Sequence, residues 1–214
     1  LLSCSDNQFI NPDPPDQLVV YCVLIPDVPR QKVWVSKVAA NDKEPPIAVN
    51  EVSVWLNDFE LNLRDTTDYQ NPYNFFIDDI PLHPDSTYTL RVESDEFPDV
   101  TGETTIPGDF EVHVDLSTNK LFWSPSHNAA GYQIDLVNLD SSETIIEVTR
   151  VYDRQIYFPV NTMPPGQYLF RVGAFDQHYY DFVVAGKEAA GLTNGIGLMG
   201  ALYYRWIFFT YDGS

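Results

Sequence analysis

Cations are scarce in this chain: 12 Lys and Arg stand against 31 Asp and Glu, a formal net charge of −19. Charge of that sign and size repels nucleic-acid phosphates and anionic lipid surfaces, so nucleic-acid binding is excluded. Cysteine is nearly absent, and the two present, Cys4 and Cys22, allow one disulfide at most. No uninterrupted apolar run reaches the roughly 20 residues of a membrane-spanning helix. The most apolar stretch, residues 189–209, is broken by Gly191, Asn194, Gly195, Gly197, Gly200 and Arg205.

Catalytic patterns are missing too. His83, His113, His127 and His178 fall on different predicted strands and turns, and no H-E-x-x-H, paired C-x-x-C or G-x-S-x-G occurs. The carboxylates of Asp78-Asp79 and Asp95-Glu96 are adjacent. Neighbours on a strand point to opposite faces, so neither pair is a facing acid and base. Gly195, Gly197 and Gly200 spell G-x-G-x-x-G, but a dinucleotide fingerprint follows a strand early in a βαβ unit and opens a helix. This one does neither. The expectation is a protein that is not an enzyme and has no cofactor. An extracellular chain this acidic can bind calcium in loops such as 65–68 or 95–99; both lack the spaced Asp-x-Asp-x-Asp-Gly pattern, and solvated acidic loops are the default reading.

What the chain does contain is β chemistry. Aromatics at 14% and 16 prolines, with only two methionines, favour short strands joined by proline turns. A length of 214 residues suits two domains of ordinary sandwich size. The first residues, Leu1-Leu2-Ser3-Cys4, read as the end of a bacterial lipoprotein signal, in which the cysteine is acylated. Cys4 is then a lipid anchor; a plain thiol and a Cys4–Cys22 disulfide are the alternatives. Residues 1–17 form a lipobox remnant and a tether stiffened by Asn11-Pro12-Asp13-Pro14-Pro15-Asp16. The expected place is the outer membrane, lipid-anchored, on its periplasmic or cell-surface face.

Residues 18–107 read as an immunoglobulin-like β-sandwich. Leu18-Val19-Val20-Tyr21-Cys22-Val23-Leu24 is rich in β-branched and aromatic residues, and the run from 31 to 38 alternates, with Val33 and Val35 on one face and Trp34 and Val38 on the other. Val52, Val54 and Leu56 share a face of the next strand. Residues 65–74 have no apolar periodicity and read as a loop. After the turn at Pro84-Asp85, Tyr88 is placed to tie the preceding loop to the sandwich through its hydroxyl.

Residues 108–175 carry a sharper pattern: Leu121-Phe122-Trp123, then Gly131-Tyr132-Gln133-Ile134, then Pro164-Pro165-Gly166-Gln167-Tyr168-Leu169-Phe170-Arg171-Val172. This segment resembles a fibronectin type III domain. The resemblance implies Trp123 as the core tryptophan, Tyr132 as the aromatic of the third strand and Tyr168 as the corner tyrosine, with no fixed function attached to the fold. Tyr88-Thr89-Leu90-Arg91-Val92 and Tyr168-Leu169-Phe170-Arg171-Val172 repeat one device, so the chain is expected to be all-β, two tandem immunoglobulin or fibronectin III-like sandwiches. Residues 176–214 form an aromatic and glycine-rich C-terminal β extension. Its segment Leu202-Tyr203-Tyr204-Arg205-Trp206-Ile207-Phe208-Phe209 is too apolar to stand as an exposed edge and should pair within the fold or with a partner.

In order, the lipobox cysteine, Leu18-Val19-Val20-Tyr21, Val33-Trp34-Val35-Ser36, Thr104-Thr105-Ile106-Pro107, the fibronectin-like module and Asn194-Gly195-Ile196-Gly197-Leu198-Met199-Gly200-Ala201 resemble uncharacterised surface lipoproteins of Bacteroidota. Genes for those proteins often lie beside TonB-dependent outer-membrane receptors. The resemblance implies a location and a partner, an outer-membrane complex with a TonB-dependent receptor, and no chemistry. The expected function is an accessory binding or assembly subunit of that complex; the alternative is a carbohydrate-binding surface module that captures glycans. The expected ligand or partner contacts are Tyr69 and Tyr73 in the loop, and Tyr179, Tyr180 and Trp206 near the C-terminus, whose rings suit sugars or peptides.

Overall fold

The alternations just read become strands. A computed structural model describes residues 17–38, 49, 51–64, 74–150 and 152–213. The first half holds β1 (Leu18–Leu24), β2 (Gln31–Lys37), β3 (Val52–Leu56), β4 (Phe59–Glu60), β5 (Asn62–Arg64), β6 (Asn74–Asp78), β7 (Thr87–Ser94) and β8 (Val100–Thr105). Along β1 every second side chain, from Leu18 to Leu24, is fully buried and those between are half-buried. In β7, Tyr88, Leu90 and Val92 point inward while Thr87, Thr89 and Arg91 stay in water. Of the stretch read as a loop, residues 65–73 lie outside the described residues and Asn74 begins β6.

The second half supplies β9 (Val112–Asp115), β10 (Lys120–Trp123), β11 (Gly131–Asn138), β12 (Glu143–Arg150), β13 (Gln155–Tyr157) and β14 (Gly166–Phe175). Trp123 is buried, with its ring 5.4 Å from that of Tyr132. Both corner tyrosines make their bonds: the Tyr88 hydroxyl accepts the His83 amide at 2.9 Å, and the Tyr168 hydroxyl donates to the Pro164 carbonyl at 2.6 Å. The fold is an all-β sandwich architecture.

The last three strands are β15 (Ala189–Ala190), β16 (Leu192–Thr193) and β17 (Gly195–Tyr211). β17 is the strand both halves share. Its residues 195–201 run parallel to β1, and its residues 202–211 run antiparallel to β14. One sheet therefore crosses the molecule in the order β12-β11-β14-β17-β1-β2-β6-β5. Two smaller sheets, β16-β8-β7-β3-β4 and β13-β10-β9, pack against it. Met199, Ala201 and Tyr203 are buried in a single continuous core, and Ile207, Phe209 and Tyr211 pack on it. Because side chains alternate along a strand, the odd positions of β17 face that core and the even positions face outward. Residues 195–211 thus pair with strands of both halves, which the glycines of the strand conceal from a period-two reading.

A short helical segment, Gln177–Tyr179 continuing as a wider π-type turn over Tyr180–Val184, covers the outer face where β17 meets β1. Phe182 sets its ring edge-on to Tyr21 at 5.1 Å. Asp176 fixes the junction. Its buried carboxylate accepts the Tyr179 amide at 2.9 Å, the Ala201 amide at 3.1 Å and the Thr104 hydroxyl, so one side chain joins the helical segment, β17 and β8.

Among the described residues Cys22 is a free, fully buried thiol, and burial pushes its pKa up to about 12. Cys4 lies outside the described residues. Among the described residues no helix is long and apolar enough to cross a membrane.

Candidate functional site

Residues 202–211 of β17 are apolar in both phases of the strand, and only one phase can enter the core. The other phase, Tyr204, Trp206 and Phe208, stands on the outer face of the large sheet. Register sets each beside a residue of β14, Gly173, Arg171 and Leu169 respectively, and behind those lie Gln133, Asp135 and Val137 of β11. Three cross-strand rows result.

Tyr204 lies over Gly173: a Cβ added there would meet the tyrosine ring at 2.5 Å, so glycine lets the ring lie on the backbone. Its hydroxyl accepts from Gln133 Nε2, and the Arg171 guanidinium sits 5.3 Å from the ring centre. Burial pushes the Tyr204 hydroxyl up to about 12, against a smaller downward pull from Arg171. Arg171 in turn places Nε at 2.8 Å and Nη2 at 2.6 Å from one oxygen of Asp135. That carboxylate is buried, and a guanidinium partner is what makes its burial tolerable.

Next in the rows, Trp206 is 57% exposed and Phe208 65% exposed. Their far side is walled by the turn between β1 and β2, which with Pro26 and Val28 closes a pocket of about 470 Å³. Gln31 shapes that turn. Its buried amide donates to the carbonyls of Ile25 at 2.9 Å and Val28 at 3.3 Å, and its oxygen accepts the Ile25 amide at 3.1 Å. Beside the pocket Arg205 Nε binds Asp109 at 2.8 Å, and that hydrogen bond, ahead of opposing desolvation, holds the Asp109 carboxyl below its ordinary value. The outcome is an aromatic platform with the Arg171–Asp135 pair on its face and the Arg205–Asp109 pair on the other side of the strand. Such a surface can stack on an apolar side chain or a sugar ring while fixed polar groups orient it.

Of the residues picked from the sequence, Trp206 is on this platform. Tyr179 borders it: it lies near enough to Asp135 and Tyr204 for their charges to interact, and its half-buried ring packs on Phe175 at 5.5 Å. Tyr180 stacks on the same Phe175 at 6.5 Å. Tyr69 and Tyr73 lie outside the described residues, as do positions 65–68 of the first calcium loop. Asp95 and Asp99, from the second, line a groove of about 540 Å³ with Glu51 and Glu93. Among the described residues no group of three or more His, Cys, Asp or Glu is placed to hold a metal ion. A wider groove, about 850 Å³ between Asn57, Arg91, Glu103, His178 and Leu192, holds none of the aromatics picked from the sequence.

Sequence reasoning offered the whole segment 202–209, Tyr204 and Phe208 included, as a binding strand, but passed over Arg171, Asp135 and Val28. The readable signal was the unbroken aromatic run itself, which is longer than one buried face needs.

Among solved structures, the chain is similar to a cytokine receptor complex at 12% identity and a TM-score of 0.35, over 91% of this chain and 96% of that one. It is similar to the FN1-FN3 domains of chicken CNTN1 at 13% identity and 0.27, over 91% and 69%. A two-domain fibronectin type III segment of chicken tenascin matches at 11% and 0.29, over 92% and 99%. No curated protein matches the chain. The family described as "Domain of unknown function (DUF4249)" matches residues 7–196, most of the length, and the protein belongs to that family.

Proposed function

We propose that the protein is a non-enzymatic, lipid-anchored accessory binding or assembly subunit of an outer-membrane complex, and that it docks through the outer face of β17. One observation carries the docking: Trp206 and Phe208 stand next to one another, more than half exposed, on a sheet face whose other phase already fills the core. Contiguous aromatic area left in water marks an interaction surface more often than a folding requirement. The platform is also stiff, because β17 is paired into both sandwiches, and a pre-ordered surface loses less entropy on binding.

Anchoring at Cys4, a TonB-dependent receptor as partner, and a periplasmic or cell-surface position rest on the likeness of the sequence to surface lipoproteins. The non-enzymatic part rests on the sequence, in which no H-E-x-x-H, paired C-x-x-C or G-x-S-x-G pattern occurs.

Native mass spectrometry of the complex drawn from membranes tests both parts. The expected result is an acylated Cys4 and a co-purifying β-barrel protein that is lost from the Trp206→Ala/Phe208→Ala variant. Retention of the barrel by that variant overturns the docking face, and an unmodified Cys4 on the intact native chain overturns the anchor.

A second reading is glycan capture, favoured by the Arg171–Asp135 pair beside the rings. This pair can exchange hydrogen bonds with sugar hydroxyls while the rings stack on the sugar face. A partner-free monomer that is retarded on a polysaccharide affinity gel, and not after Trp206→Ala, supports this reading over the first.

A further inference from the structure

β17 has a second side. At Ala201 the amide donates to the Asp176 carboxylate and the carbonyl accepts the Asp176 amide, so both groups turn toward the end of β14. Backbone groups alternate along an extended strand. Those of Trp206, Phe208 and Thr210 therefore turn to the opposite edge. β1 occupies that edge only up to the pair of Leu24 with Ala201, and among the described residues no strand pairs with it further on.

Across the gap stands β9, itself the end strand of the sheet β13-β10-β9. Between Val112 and His113 on one side and Arg205 to Ile207 on the other lies a groove of about 770 Å³. Arg205 and Trp206 line both this groove and the pocket walled by the Gln31-braced turn at Pro26 and Val28. Natural edge strands are blunted by lysine, proline or a bulge. Residues 206–211, Trp-Ile-Phe-Phe-Thr-Tyr, carry none of these, and their pairing to β14 runs without a register shift.

We infer that the open edge of β17 takes up an extended segment of a partner protein as an added strand, one in which apolar and basic residues alternate. The inference rests on the outer face of β17 being the docking surface. An added strand would place every second side chain beside Trp206 and Phe208, where apolar groups gain most. The remaining side chains would face the β9 side of the groove, whose charged groups are Asp109, already bound by Arg205, and Glu111, 80% exposed and held only by His113 at 3.4 Å. A cation in the partner complements them. A second copy of the chain does not fit, because each brings a net charge of −19 to the contact. Six residues at about 3.4 Å each give a strand of about 20 Å, enough for five or six backbone pairs.

The probe is an end-capped, fluorophore-labelled (Val-Lys)4 peptide, titrated with the full chain and followed by anisotropy. Two relatives accompany it: (Val-Glu)4, and (Val-Lys)4 methylated on every backbone nitrogen, which keeps charge and side chains and cannot donate to a strand. We expect (Val-Lys)4 to bind, both relatives to bind at least tenfold more weakly, and Trp206→Ala and Glu111→Gln each to weaken (Val-Lys)4 severalfold with the fold intact by circular dichroism. Equal binding of the methylated peptide means simple charge attraction and overturns strand addition, as does no binding of (Val-Lys)4. If (Val-Lys)4 fails while Trp206→Ala still strips the barrel from the native complex, strand addition falls and the docking face stands. If the barrel survives Trp206→Ala, the docking face falls with the inference that rests on it.

Discussion

The two halves of β17 share one backbone and one alternation, yet they differ in almost every other respect. Residues 195–201 include three glycines and one alanine, run beside β1 on one side and β15 on the other, and are buried from Gly197 onward. Residues 202–211 are mostly aromatic, pair on one side only among the described residues, and leave every second residue from Trp206 in water. Small residues appear where other groups come close: a Cβ on Gly197 would sit 2.2 Å from the Val20 carbonyl oxygen, and one on Gly195 would sit 2.8 Å from a Val100 methyl group. Large rings appear where nothing covers the sheet. The first half joins the sandwiches, and the second presents a surface.

The comparison breaks most severely at Gly197. Its φ of +110° is one that side chains rarely adopt, and β1 leaves no space for a methyl group. Backbone strain and overpacking together should cost Gly197→Val about 4 kcal/mol or more. Urea denaturation should show the variant largely unfolded. A change under about 1 kcal/mol would mean that the parallel pairing with β1 is not what this glycine serves.

Asp176 comes next, since it closes the joint from the other side of the strand. Asp176→Ala would leave the Thr104 hydroxyl and the Tyr179 and Ala201 amides buried without an acceptor, costing about 3 kcal/mol. Asp176→Asn keeps one acceptor oxygen and should recover most of that. Equal loss from both variants would assign the effect to charge instead of to the three hydrogen bonds.

These two sites also mark where the sequence stops being legible. β1, β7, Trp123 and the corner tyrosines Tyr88 and Tyr168 were readable because alternation and the proline turn before each tyrosine are local patterns. Gly195, Gly197 and Gly200 answer to Val100, Val20 and Tyr179, two of them far away in the chain, so their spacing resembled a loop and hid a strand. In the second half the trouble is reversed. Tyr203 and Tyr204, or Phe208 and Phe209, look alike in sequence, and only the partner strand decides which ring goes inside. Trp206 could be singled out as a contact, but its neighbours Arg171 and Val28 come from strands and turns that sequence adjacency does not connect.

Alkaline titration separates the halves with a smaller effect. Cys22, opposite Met199 in the first half, is raised from 9.0 to about 12 by burial, and Tyr204, in the second, from 10.0 to about 12. A raised folded pKa leaves stability whole below the unfolded value and withdraws it as pH climbs toward the folded one. Cys22 therefore acts first, removing about 1 kcal/mol between pH 9 and 10, over which Tyr204 removes about a third as much. Denaturation midpoints across pH 8–9.5 should fall for the natural chain and fall markedly less for Cys22→Ala. A fall of the same size in Cys22→Ala would place the titrating group elsewhere.

The smallest expected effect is the sharpest, because it separates surface from core within a few residues. Phe209 stacks on Tyr168 at 5.4 Å and on Phe170 at 5.4 Å, so Phe209→Ala empties part of the core and should cost about 3 kcal/mol or more. Phe208, its neighbour, is 65% exposed and packs on no other ring among the described residues. Phe208→Ser and Trp206→Ser should shift stability by less than about 0.5 kcal/mol, as surface replacements away from special features do. They should also reduce the dye binding that exposed aromatic surface attracts. Loss of more than about 1 kcal/mol from either would show that the rings brace the sheet, and the platform would then be a structural element of β17 like the glycines of its first half.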